Sequence, residues 1–206
     1  MPEHADRTAA TTGLVLAGGQ ALRMGGLDKG LVGVAGRPMI EYVLDALRPQ
    51  VGPVLINANR NADRYAAYGA RVVPDSLGGF LGPLAGMLSA LEAMETEFLL
   101  TAPCDSPFLA PDLAACLHAA LERDDADLAV AHDGERQQPV FLLLRRRLAP
   151  DLRRYLAGGD RKIDRWFAGH RVAEADLSHR RETFINVNDP DERRRAEELL
   201  LERGRA

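Results

Sequence analysis

Leu16-Ala17-Gly18-Gly19-Gln20-Ala21-Leu22-Arg23-Met24-Gly25-Gly26-Leu27-Asp28-Lys29-Gly30 follows directly on the apolar run 13–17 (GLVLA), and this junction decides the fold. The apolar run reads as a buried strand. The five glycines after it let the backbone approach an anion and turn N–H groups toward it. Arg23 and Lys29 add fixed positive charge, which is what a triphosphate needs. The loop is not a Walker loop, because Gly-Lys-Ser/Thr is absent. Nor is it the dinucleotide fingerprint, because three suitably spaced glycines opening a helix are absent, which disfavours a Rossmann oxidoreductase.

Working outward, short apolar runs alternate with helical patterns. Further strands are expected at 54–58, 71–74, 98–102, 128–131 and 140–144. Helices are expected from Pro38 (Ile40, Val43, Leu44 and Leu47 on one face), over 62–68, from Gly82-Pro83, from Pro111 (Leu113, Cys116, Leu117, Ala120 and Leu121 inward), and from Pro190 to about 202 with Asp189 as N-cap. Such alternation implies crossover connections and a mostly parallel sheet covered on both faces, a three-layer α/β/α architecture. Ligands of open α/β sheets bind beyond the carboxyl ends of the strands. The residues to inspect are therefore 18–30, Asn57 onward, 75–83 and 103–107.

Composition supports one globular domain. The chain has 206 residues, 46% hydrophobic and 27% charged, which excludes a collagen, a disulfide scaffold or a disordered tail. No run approaches the ~18 apolar residues of a membrane span. Residues 1–12 are polar, are expected to be a disordered extension, and do not read as a secretory signal. With that start, Cys104 and Cys116 are expected to be reduced thiols in a cytoplasm. A net charge of −4 and a pI near 5.8 give no reason to expect nucleic acid. The average hides two imbalances. Residues 1–144 carry −8 and residues 145–206 carry +4, and the cations are 24 Arg against 2 Lys, Lys29 and Lys162. Solvated helical surface accounts for most of the arginines; the sharper reading is that some receive an anionic substrate. A lysine inside the glycine loop of a chain that otherwise writes Arg suggests a compact point charge on phosphate oxygens.

Other candidates stand at strand ends. Asp105, in Ala102-Pro103-Cys104-Asp105-Ser106-Pro107, is rigidified by two prolines and suits Mg²⁺, which takes one or two carboxylates and completes its shell with phosphate and water. Alone, Asp105 would read as an ordinary turn residue; opposite Lys29 the metal reading is preferred. Cys104 reads as packing, since no histidine is near in sequence. Asn57 and Asp75 offer an amide and a carboxylate suited to a purine edge or a ribose, although turn chemistry explains either one singly. Asn188 and Asp189 suit helix capping, and Asn186 could point into the site. His132-Asp133-Gly134 reads as a turn between strands. The histidines show no metal spacing.

Leu16-Ala17-Gly18-Gly19, Arg23-Met24-Gly25-Gly26 and Asp28-Lys29 resemble the signature of nucleotidyltransferases with a Rossmann-like fold. Adding Asn57-Ala58-Asn59-Arg60, Asp75-Ser76, Gly82-Pro83-Leu84-Ala85-Gly86, Pro103-Cys104-Asp105, His132-Asp133-Gly134 and Asn186-Val187-Asn188, the set is similar to the molybdenum cofactor guanylyltransferases, in order along nearly the whole chain. The resemblance implies a nucleotide-diphospho-sugar-transferase-like fold, with residues 13–206 as one nucleotidyltransferase domain. It implies attack of the terminal phosphate of molybdopterin on the α-phosphorus of GTP, with Mg²⁺ as cofactor and pyrophosphate leaving. Carried over, Leu16, Ala17, Gly18, Gly19, Lys29, Asn57, Asp75, Gly82 and Asp105 contact the nucleotide. Lys29, Arg23 and Asp105 serve the chemistry, and Asp105 holds the metal. Asn186, Asn188 and Arg161 are candidates for the pterin side.

A related cytidylyltransferase is the first alternative; its loop tends to read Leu-Ala-Ala-Gly, so Gly18-Gly19 here favours the guanine form. A nucleotide-binding assembly protein without catalysis is the second, and the presence of both Lys29 and Asp105 argues against it. GTP and molybdopterin are the expected small-molecule partners, with a molybdopterin-delivery protein and a recipient molybdoenzyme beside them. No nucleic acid or membrane partner is expected, and the chain is expected to be a monomer or weak homo-oligomer.

Overall fold

The computed structural model describes residues 2–17, 28–77 and 82–203. Its elements, in chain order, are α1 (Pro2–Ala9), β1 (Thr11–Leu16), β2 (Gly33–Val34), β3 (Arg37–Pro38), α2 (Met39–Leu47), β4 (Val54–Asn57), α3 (Ala62–Ala66), β5 (Arg71–Val73), α4 (Pro83–Ala93), β6 (Phe98–Pro103), α5 (Leu113–Arg123), β7 (Leu128–His132), β8 (Gln137–Arg145), α6 (Ala149–Ala157), α7 (Ile163–Phe167), β9 (Val172–Asp176) and α8 (Pro190–Arg203). Seven strands form one sheet in the order β5-β4-β1-β6-β8-β7-β9, and β2 and β3 form a separate ribbon. β8 is antiparallel to both of its neighbours, while the other pairings in the sheet are parallel.

Two apolar layers sandwich the sheet. On one face Val15, Ile56 and Leu100 pack under Ile40, Val43, Leu44 and Leu47 of α2 and Leu113, Leu117 and Leu121 of α5. On the other, Leu14, Leu55 and Leu99 pack under Leu84, Met87, Leu88 and Leu91 of α4, with Leu152 and Leu156 of α6 and Trp166 and Phe167 of α7. Residues 14, 15, 55, 56, 99 and 100 are all buried because each strand is covered on both sides. A smaller third cluster joins Val32, Val34, Met39, Phe108, Val187 and Ala196.

The chain winds from β1 to β4 and β5 in one direction and returns to β6 in the other, so the order reverses between β1 and β6. Their last residues, Leu16 and Pro103, are register partners. This switch point is where an open α/β sheet leaves a crevice, and it lies between the end of β1 at Leu16-Ala17 and the 104–107 turn. β6 pairs with β8 only over Phe98–Leu100. Beyond that, the fully buried Thr101 bridges the diverging strands: its Oγ1 donates to Val140 O (2.7 Å) and accepts from Leu142 N–H (3.2 Å).

Several expectations shift. Residues 2–9 form a helix, and Thr11 and Thr12 are buried strand residues, so the disordered extension expected over 1–12 is corrected for these residues. Pairing on both sides supplies the reason: Gly52 N–H donates to Thr11 O and Phe98 N–H to Ala10 O, which ties the entering chain into the middle of the sheet. Pro38 lies in β3 rather than opening the helix, which starts at Met39. α5 starts at Leu113 rather than Pro111, and Cys116 is half-buried rather than inward. Among the described residues no helix is long and apolar enough to cross a membrane.

Thr101→Val keeps the side-chain shape but leaves a part-buried carbonyl and a buried N–H without their partner. A destabilisation of ~2–3 kcal/mol is expected, read from the midpoint of urea unfolding; an unchanged midpoint would show that the hydroxyl bridge contributes nothing.

Candidate active site

Lys29 opens a short helical turn, Lys29–Leu31, just beyond the glycine-rich loop. Its Nζ donates to Asp105 Oδ2 at 3.0 Å and to Asn188 Oδ1 at 2.5 Å. Three segments far apart in sequence thus meet at one ammonium. The side chains are mostly shielded, with Lys29 24% and Asp105 12% exposed. A charge pair this far from bulk water must be paired well, because an unpaired partner would carry its desolvation cost alone.

Each arm of this joint is held from behind. Asp105 follows the end of β6, and its carbonyl accepts the Val187 N–H at 3.0 Å. Val187 is fully buried in the third cluster, so Asn186 and Asn188 on either side are directed out of that core. Asn186 Oδ1 accepts from the buried Ser106 hydroxyl at 2.6 Å. The Asn188 N–H donates to Glu192 Oε2 (2.6 Å), while Asp189 Oδ1 accepts from the N–H groups of Asp191 and Glu192 (2.9 and 2.8 Å). Asp189 is therefore the expected N-cap of α8, reinforced by a back-reaching acid at Glu192.

Beside Lys29, Asp28 is buried and committed. Tyr65 donates its hydroxyl to Asp28 Oδ1, and Asn61 Nδ2 donates to Oδ2 at 3.1 Å. Burial pushes the Tyr65 phenol far up, with Cys104 and Asp28 adding to it, so Tyr65 stays a donor. Burial likewise pushes the Cys104 thiol up, with Asp105 and Asp28 adding to the effect. Cys104 remains a neutral packing thiol, as expected, and offers no nucleophile.

The β4 side forms a second group. Asn57 Nδ2 donates to Val73 O (3.1 Å) and to Asp75 Oδ1 (2.9 Å), and Asn59 Nδ2 donates to Asp75 Oδ2 (2.8 Å). Asp75 is fixed further by its own N–H to Asn59 Oδ1 (2.8 Å). Leu16 and Ala17 are pinned at the head of β1, where Cys104 N–H donates to Leu16 O and Ala17 N–H to Asn57 O. Gly82 sits at φ +73°, a conformation that favours glycine, immediately before α4. On α4, a Cβ at Gly86 would lie 2.3 Å from Asn57 Oδ1 and 2.9 Å from Leu16 Cδ2.

The structure therefore joins Lys29, Asp105, Asn186 and Asn188 in one cluster, and Asn57, Asp75 and the head of β1 in another. Gly18, Gly19 and Arg23 lie outside the described residues. Arg161 stands elsewhere: it caps the end of α6, donating Nη1 to Leu156 O and Asp160 O at 2.7 Å each. Tyr65, Asn61, Ser106 and Gly86 were not singled out from sequence. Gly86 lay within a quoted motif, but nothing local to Tyr65 announces that its hydroxyl meets Asp28 across 37 positions.

Asp105 suits a divalent cation. With Oδ2 on Lys29, its Oδ1 has no hydrogen-bond partner among the described residues. Mg²⁺ is usually held by one or two carboxylates, with phosphate oxygens and water completing its shell.

The chain matches the family described as the MobA-like NTP transferase domain over residues 13–197. A protein of Shewanella sediminis named molybdenum cofactor guanylyltransferase is 48% identical over 187 residues, covering 91% of this chain and 95% of its own. One of Shewanella sp. strain MR-4 with the same name is 50% identical over 182 residues, covering 88% and 92%. The crystal structure of molybdopterin-guanine dinucleotide biosynthesis protein A from Archaeoglobus fulgidus superposes with a TM-score of 0.77 at 25% identity, over 93% of this chain and 99% of that one. The 4-diphosphocytidyl-2C-methyl-D-erythritol synthase of Anaerococcus prevotii shares the fold at a TM-score of 0.75 and 14% identity, over 97% and 99%.

Gly86→Ala is expected to destabilise the protein by ~1–3 kcal/mol through overpacking against Asn57, even though alanine is the better helix former. Urea unfolding measures it. A gain in stability would show that Asn57 moves aside freely.

Proposed function

We propose that this chain, which belongs to the MobA-like NTP transferase family, transfers GMP from GTP to the terminal phosphate of molybdopterin and releases pyrophosphate. Membership makes it a nucleotidyltransferase of molybdenum cofactor biosynthesis. The nucleotide, the acceptor and the leaving group are our reading. The observation that supports it best is the Lys29 ammonium held between Asp105 and Asn188 at the β1–β6 switch point.

In this reading an oxygen of the acceptor phosphate forms a bond to the α-phosphorus of GTP. The bond from that phosphorus to the bridging oxygen breaks, and its electron pair leaves with pyrophosphate. The nucleophile is already an oxyanion, so no side chain has to remove a proton, in keeping with a site whose thiol is neutral and buried. Transfer of this kind depends on positioning and charge stabilisation. Lys29 supplies a point charge to the phosphates, and the glycine loop with Gly18, Gly19 and Arg23 supplies backbone N–H groups and a second cation. Leu16, Ala17, Asn57, Asp75 and Gly82 receive the nucleoside. Asn186 and Asn188 face the acceptor. Mg²⁺ held by Asp105 would neutralise phosphate charge and polarise the phosphorus. The reaction is placed in the cytoplasm.

The test is pyrophosphate release by the purified protein with Mg²⁺, molybdopterin and GTP, CTP or ATP in turn. Release with GTP alone is expected. Release with CTP and not GTP would overturn the guanine assignment. Nucleotide binding without any release would favour an assembly role.

A further inference from the structure

A second cluster of ligand-type side chains lies outside the groups described above. Asp112, at the N-cap of α5, and Cys116 are spaced i, i+4 and share one face of the helix's first turns. His179 comes from the helical segment Ser178–Phe184 that follows β9. One carboxylate oxygen, the Cys116 sulfur and a ring nitrogen of His179 lie within 4.8 Å of one another. His179 Nε2 is already 3.3 Å from Asp112 Oδ2. Asp112 Oδ1 is shielded from solvent and accepts no hydrogen bond among the described residues, with only the Arg180 guanidinium 3.3 Å away in an ion pair. The shielded Oδ1 therefore has lone pairs open to a cation once Arg180 turns away. Asp176, at the end of β9, adds negative charge toward both Cys116 and His179.

We propose that Asp112, Cys116 and His179 bind a zinc-class divalent cation, with water in the fourth position. Mixed oxygen, sulfur and nitrogen donors suit this borderline-soft ion, whereas Mg²⁺ prefers oxygen alone. Bond lengths of about 2.0–2.3 Å bring tetrahedral ligand atoms to within about 3.8 Å of one another. The closure required is small, and the half-exposed His179 makes it by side-chain rotation while Arg180 turns out to solvent.

The place in the fold gives the site its use. Asp112 lies on the segment leading away from Asp105, and His179 on the segment leading into Asn186 and Asn188. Those two segments meet again at the Val187 N–H to Asp105 O bond. A cation at Asp112, Cys116 and His179 closes the same loop from its far end. It is a structural staple, independent of which nucleotide the protein uses.

The experiment is titration of the metal-free full chain with Co²⁺, followed by the thiolate-to-cobalt absorption in the near ultraviolet, and with Zn²⁺, followed by the thermal unfolding midpoint. One saturable cobalt band that Zn²⁺ displaces is expected, with an upward shift of the midpoint on adding Zn²⁺. Cys116→Ser should lose the band and the shift while remaining folded by circular dichroism, and His179→Ala should weaken both. Asp105→Ala should keep both, which separates this site from the Mg²⁺ site. Absence of any cobalt band in the folded wild-type chain, or a band that survives Cys116→Ser, would overturn the proposal.

Discussion

The ammonium of Lys29 is the point on which the rest of the site depends. It draws together the end of the glycine-rich loop, the turn after β6 and the strand-like segment before α8. None of these segments has regular pairing of its own at that place. A shielded charge with two partners 76 and 159 positions away fixes their relative positions more strongly than loop packing would. A lysine suits the task because a compact ammonium can sit among carboxylate, amide and phosphate oxygens, where a guanidinium imposes a planar fork. That also gives sense to a chain with 24 arginines and 2 lysines.

The supporting shell is ordinary protein chemistry placed with care. Val187, buried in its own small core, directs Asn186 and Asn188 outward. Tyr65 and Asn61 occupy Asp28, so the carboxylate next to Lys29 does not compete for it. On the β4 side, Gly86 lets α4 approach Asn57, which in turn holds Asp75. The excess arginines of the C-terminal third play a different part. Arg147, Arg153, Arg154, Arg165, Arg181 and Arg193 form ion pairs with Asp127, Glu92, Asp151, Asp160, Glu135 and Glu197. Exposed pairs of this kind contribute about 0–1 kcal/mol each, which agrees with a solvated surface for these residues.

Much of this was legible in the sequence for physical reasons. β1, β4 and β6 are covered on both faces, so they read as continuous apolar runs, and the loops after them carried the glycines and acids that were singled out. The elements not anticipated are those whose signal is weak or non-local. β9 (VAEAD) alternates but is short and alanine-rich, and α7 is five residues long. The reversed direction of β8 leaves no trace in its composition, since periodicity reports burial and not polarity. Tyr65 is a fully buried aromatic whose hydroxyl acquires a role only when α3 meets Asp28 in space.

Turnover of Lys29→Arg, measured as pyrophosphate release with GTP, molybdopterin and Mg²⁺, tests the central claim most directly, because the substitution keeps the charge and changes only its shape. A loss of ~10²-fold or more, with the unfolding midpoint little changed, is the expected result. Wild-type turnover in Lys29→Arg would contradict the account, since the joint would then not require a compact ammonium.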